Sequence, residues 1–150
     1  YKNWAWVSSK KGGILTYHGY VTSRTFGGIS MPVPAQNSCI REFIENRQGD
    51  YILPALESHF DNCYHQLFNL ASIVPSGQSI IMYSLSMMPS EKKLDMLLSS
   101  CGKREISFAF VLEAFESRSS FENIIHELKA RNMHSYISDY EEIKHFFNPK

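Results

Sequence analysis

The sequence predicts a single α/β domain: a three-layer sandwich whose mostly parallel sheet of four or five strands is covered by helices on both faces. Three observations carry this. Strand-like apolar runs alternate with amphipathic helix-like runs four or five times, the pattern of parallel β-α-β units. The run Ser79-Ile-Ile-Met-Tyr-Ser-Leu85 is nearly continuous in apolar character, as a parallel strand covered on both sides must be. A chain of 150 residues with 43% hydrophobic and 20% charged residues can build one real core, and is short for two.

Taken in order, residues 1–14 read as an extension, in which Trp4 and Trp6 precede Lys10-Lys-Gly-Gly13, and residues 15–150 as the domain. Leu15 to Thr22, rich in β-branched and aromatic residues, is the first strand. Pro34 suits the first turn of a helix, where its missing N–H costs nothing, and that helix would place Cys39, Ile40, Phe43 and Ile44 on one face. Gly49 suits the helix stop, and Tyr51 to Ala55 is a short second strand. A polar loop from Glu57 to Asn62 leads into a helix over Cys63 to Val74, closed by Pro75-Ser-Gly77. The Ser79 strand follows, then a helix from Ser90, which reads as its cap, to Leu98. Glu105 to Leu112 is a strand, Ser120 to Arg131 a helix, His134 to Ser138 a last strand, and Asp139 caps a terminal helix.

Composition excludes several classes. Fifteen basic residues balance fifteen acidic ones, so the chain lacks the positive field that wraps duplex nucleic acid. Lys10-Lys11 and Lys92-Lys93 read as solvated ends. Cys39, Cys63 and Cys101 are odd in number and widely spaced, which gives neither a disulfide framework nor a zinc pattern and fits reduced thiols in a cytoplasmic protein. No apolar run approaches membrane-spanning length, and no signal peptide is visible.

The chemistry-bearing residues fall where strands should end. There is no glycine-rich phosphate loop of either common pattern and no paired-histidine metal spacing, so no cofactor and no metal is expected. His18, on a strand, reads as structural. Ser23 and Arg24 follow the first strand, and Glu57, His59 and Asp61 the second. Ser84 and Ser86 end the third, while Glu113 and Glu116 follow the fourth. In a parallel sheet these loops share one edge, where ligands bind in open α/β folds. Arg24 can clamp a carboxylate or phosphate, and Glu57 or Glu113 can serve as acid or base. Cys63 reads as a buried thiol rather than a nucleophile.

Two resemblances attach to these residues. The order of elements, with Gly19-Tyr-Val-Thr-Ser23, Gln36 on the first helix and Ile80 to Leu85, resembles the catalytic domain of serine recombinases, which implies a flavodoxin-like or recombinase-like sandwich. That family's first arginine falls on Tyr20 and its nucleophile on Thr22 or Ser23. Its later arginine motif falls on Ser86-Met-Met-Pro-Ser90, so both arginines are absent, and with them the charge stabilisation of phosphoryl transfer. Over its first two thirds, the chain more closely resembles the sporadic carbohydrate cluster proteins of bacterial surface-polysaccharide loci. The matching residues are Gly19-Tyr-Val-Thr-Ser-Arg-Thr-Phe-Gly-Gly28, Val33-Pro-Ala-Gln-Asn37, Glu57, Cys63-Tyr64, Tyr83-Ser-Leu85 and Pro89. This resemblance implies a cytoplasmic accessory role in making lipopolysaccharide, capsule or a related glycan.

The expected site comprises Ser23 and Glu57 as catalytic candidates, with Arg24, Gln36, Asn37, Tyr64 and Ser84 binding a sugar or sugar nucleotide. The first alternative is a non-catalytic domain that docks on a glycosyltransferase or similar enzyme, through Trp4 and Trp6. The weakest is a degenerate recombinase-like binder of nucleic acid.

Overall fold

The computed structural model describes residues 14–28, 30–60, 62–117, 121–128 and 130. The extension up to residue 13 with Trp4 and Trp6, Asp61, and the strand and helix expected after residue 133 lie outside them. The elements are β1 (Thr16–Thr22), α1 (Val33–Asn46), β2 (Asp50–Glu57), α2 (His65–Ile73), β3 (Ser79–Met82), a 3-10 turn (Leu85–Met87), α3 (Glu91–Lys103), β4 (Ser107–Phe110) and β5 (Phe115–Ser117). Residues 122–128 are helical again.

The sheet order is β2-β1-β3-β4-β5, with the first four strands parallel and β5 antiparallel to β4. The antiparallel hairpin is a departure from expectation: three residues are too few to announce a strand by period, and the sheet gains an edge that doubles back. Glu116 therefore does not join Glu113 at the carboxyl edge. It pairs with Ala109, and its carboxylate takes Arg47 Nε at 2.8 Å and the Tyr17 hydroxyl at 3.0 Å. Tyr17 lies near the start of β1 and Arg47 caps the end of α1, so Glu116 serves the opposite end of the sheet.

Each face of the sheet has its own core. Tyr17, Val21, Ile40, Phe43, Ile44, Ile81 and Ala109 pack under α1. Tyr20, Leu67, Leu70, Ile80, Met82, Leu97, Phe108 and Phe110, with Ile124 and Leu128, form the larger cluster beneath α2 and α3. Arg104, at the end of α3, ties that layer together by donating to the carbonyls of Ala71 and Val74, the orphan acceptors at the end of α2.

Helices α1 and α3 stop by the same device. In α1, Gln48 N–H reaches Glu45 O at 3.0 Å and Gly49 N–H reaches Ile44 O at 3.1 Å. In α3, Glu105 N–H reaches Gly102 O at 3.3 Å and Ile106 N–H reaches Cys101 O at 3.0 Å. The left-handed residues are Gln48 (φ 54°) and Glu105 (φ 57°), so the stop lies one residue before Gly49. Gly49 is required for another reason: a Cβ there would lie 2.8 Å from the Tyr17 ring and 3.0 Å from Leu15 O.

Edge strand β2 runs to Glu57, beyond the short strand expected, and its register shifts opposite His18 to Tyr20. Pro54, which has no N–H to leave unpaired, sits in this irregular stretch. Strand β3 is shorter than its apolar run, because Leu85 leaves the sheet to begin the 3-10 turn.

Candidate functional site

The strand order places the switch point of the fold between β1 and β3, whose carboxyl-end loops diverge to opposite faces. The β1 loop reaches the β3 turn there. Gly27 (φ 57°) lies so close to Ser86 that a Cβ would stand 2.8 Å from its Oγ and 2.9 Å from its Cβ. A Cβ on Gly28 (φ 78°) would meet nothing within 4 Å among the described residues.

Three of the expected residues, Arg24, Glu57 and Tyr64, form one assembly. Arg24 is only 8% exposed. Its Nη1 donates to Cys63 O at 2.7 Å and Ser58 O at 3.4 Å, and its Cζ lies 4.6 Å from the centre of the Tyr64 ring. Glu57 is buried at the end of β2 and gathers donors on both oxygens. Gln66 N–H lies 3.0 and 3.1 Å from its two oxygens, Leu67 N–H 3.3 Å away, Ser58 N–H 3.2 Å and Cys63 Sγ 3.7 Å. Tyr64, the N-cap of α2, offers no side-chain cap, so the carboxylate of the preceding strand supplies it.

Tyr20 links the two charges. Its hydroxyl donates to Glu57 Oε1 at 2.9 Å and also faces Arg24. Burial and the neighbouring Glu57 charge push its ionisation far above the ordinary tyrosine range, with Arg24 opposing only in part. The phenol therefore stays protonated well into the alkaline range and keeps donating to Glu57.

Gln36 is a latch at the end of β1. Fully buried on α1, it donates to Thr22 O at 2.7 Å and Met31 O at 2.8 Å, and accepts from Thr22 N–H at 3.3 Å. This fixes the strand end so that Ser23 is exposed while Arg24 turns inward. Ser84 and Glu113 join the β3 and β4 loops: Ser84 Oγ donates to Glu113 Oε2 at 3.0 Å and accepts Ser86 N–H at 3.1 Å, and Leu85 N–H meets Glu113 Oε1 at 3.0 Å. Asn37 is not brought to Arg24, since it accepts the Tyr51 hydroxyl at 2.7 Å on the α1 face. His18 meets Gln78 Oε1 at 2.7 Å, and exposed His59 stacks on Phe60.

Lys93 was not singled out by sequence, where it reads as half of a solvated pair. Its Nζ donates to Asn62 O at 2.7 Å and lies 5.5 Å from the centre of the Tyr64 ring. Only the folding of α3 against the β2–α2 loop brings it there, and nothing in local spacing announces it.

No family model matches the chain, and no curated protein matches it. Among solved structures it is similar to the N-terminal catalytic domain of TP901-1 integrase. The TM-score is 0.55 and the identity 14%, over 85% of this chain and 96% of that one. The likeness shows the fold, a recombinase-like α/β sandwich.

Proposed function

We propose that the chain binds an anionic sugar or sugar nucleotide at the carboxyl edge of its sheet, as a cytoplasmic accessory protein of bacterial surface-polysaccharide biosynthesis. The observation that carries this is the seating of Arg24: a buried guanidinium at the fold's switch point, held by carbonyls and an aromatic ring, with no carboxylate at ion-pair distance among the described residues. A cation so placed favours an anion over water. The carbohydrate-cluster motif residues Arg24, Glu57, Cys63 and Tyr64 are contact partners in this assembly, which supports reading the motif as one site.

In this reading Arg24 takes the anionic group and Tyr64 offers a ring face to the sugar. Ser23, the residue before Arg24, is exposed at the end of β1. Glu57 holds the loop under the site; to act as an acid or base it must first release one of its N–H donors. The test is a thermal-shift screen of wild type, Ser23→Ala and Arg24→Met against sugar nucleotides, acidic sugars and sugar phosphates. A ligand at one hundred times its Kd adds about 2.7 kcal/mol, a rise of several degrees for a chain of this size. A rise in wild type that is lost in folded Arg24→Met supports the site; a rise that Arg24→Met retains refutes it.

The fold likeness favours one second reading, binding of nucleic acid. Balanced charge and the missing recombinase arginines count against it. Retardation of a labelled DNA duplex at low salt, steeply reversed by added salt, would establish it.

A further inference from the structure

We infer that Lys93 is the second cation of this site, and that Arg24 and Lys93 together take a diphosphate, the linkage that joins a sugar to its carrier. The inference rests on the anionic-sugar reading and narrows its ligand.

Both cations converge on one ring. Arg24 Cζ lies 4.6 Å and Lys93 Nζ 5.5 Å from the centre of Tyr64, which caps the separation of the two charged groups at about 10 Å. Both are held by neutral acceptors: Arg24 by the carbonyls of Ser58 and Cys63, Lys93 by that of Asn62. Among the described residues the only ion pair is Arg47 with Glu116, well away from this ring. Two like charges gathered around one aromatic ring repel each other, and backbone carbonyls offset that less well than anionic oxygens do. A single carboxylate satisfies one cation and leaves the other. Two phosphoryl groups in series satisfy both, with the planar guanidinium and the compact ammonium each suited to phosphate oxygens. Lys93 is well placed to exchange partners, because its present bond is solvent-exposed.

The test is calorimetric titration of the full chain with inorganic phosphate and inorganic pyrophosphate, using wild type, Lys93→Ala and Lys92→Ala. Wild type should bind pyrophosphate about tenfold more tightly than phosphate, as one added charge-assisted contact implies. Lys93→Ala should lose about that tenfold for pyrophosphate and stay within about twofold for phosphate, while Lys92→Ala changes neither. Equal affinity of wild type for the two anions, or an equal loss for both in Lys93→Ala, overturns the inference and leaves the Arg24 anion site standing. Failure of wild type to bind either anion removes both. Uridine diphosphate glucose and farnesyl diphosphate then separate the two sources of a diphosphate: preference for the first assigns a soluble sugar nucleotide, preference for the second a lipid-linked carrier.

Discussion

Tyr20 and Gln48 show how single side chains here serve the fold by different routes. The Tyr20 hydroxyl is one of several donors on Glu57, so Tyr20→Phe removes one bond but leaves the carboxylate capped by backbone N–H groups. The expected loss is about 1–2 kcal/mol, read as a lower urea midpoint at unchanged slope. A loss beyond about 4 kcal/mol would mean the phenol, not the backbone, holds Glu57 in place. Gln48 acts through the backbone alone. With φ at 54°, it bears a strain that glycine does not, and Glu105 at 57° does likewise. Gln48→Gly and Glu105→Gly should each raise stability by about 0.5–1 kcal/mol, additively, since they end different helices. Equilibrium denaturation of the two single variants and the double variant checks both statements.

At the scale of elements, the β1–α1 connection is the part most dependent on particular side chains. Gln36 satisfies three backbone groups at the end of β1 and before α1, so Gln36→Leu takes this partner from the buried Thr22 N–H and C=O and from the partly buried Met31 C=O. A loss of about 2–4 kcal/mol follows, with faster amide exchange concentrated in residues 20–31. The neighbouring glycines should separate cleanly: Gly27→Ala meets Ser86, whereas Gly28→Ala meets only the cost of its own φ. The sequence discloses this connection in part. The residues after β1 are a polar cluster with two glycines, and Arg24 and Gln36 could be nominated from it. What Gln36 bonds to could not be read, because its partners are backbone atoms whose positions depend on the fold. The same limit explains Glu57 and Lys93. A carboxylate after a strand looks like chemistry, but the orphan N–H groups of α2 claim it. A lysine in the first turn of α3 looks solvated until the β2–α2 loop arrives beside it.

For the whole molecule, the sheet and its two-sided core were legible because apolar period and β-branched content are local properties. The antiparallel β5 was not, since its pairing with β4 is set by the hairpin and not by its own three residues. The layered core has a consequence for alkaline stability. Cys101 is fully buried in the larger cluster, and burial pushes its thiol up to about 12 from an ordinary value near 9. Between those values the unfolded chain gives up the proton and the folded chain keeps it, so the unfolded state binds fewer protons and stability falls as pH rises. Below pH 9 both states are protonated and the effect vanishes. Tyr20 and Tyr51, also raised by burial, add to the fall above pH 10. From pH 9 to 10 the slope due to Cys101 approaches about 1.4 kcal/mol per pH unit. Melting temperatures of wild type and Cys101→Ala, measured from pH 7.5 to 10, should start apart, because the substitution removes packed volume, and converge as pH rises. Curves that stay parallel would show that the thiol ionises in place and that the core around it admits water. Maleimide labelling at pH 8 gives an independent check: Cys39 and Cys63, both partly exposed, should react in the native protein, and Cys101 only on unfolding.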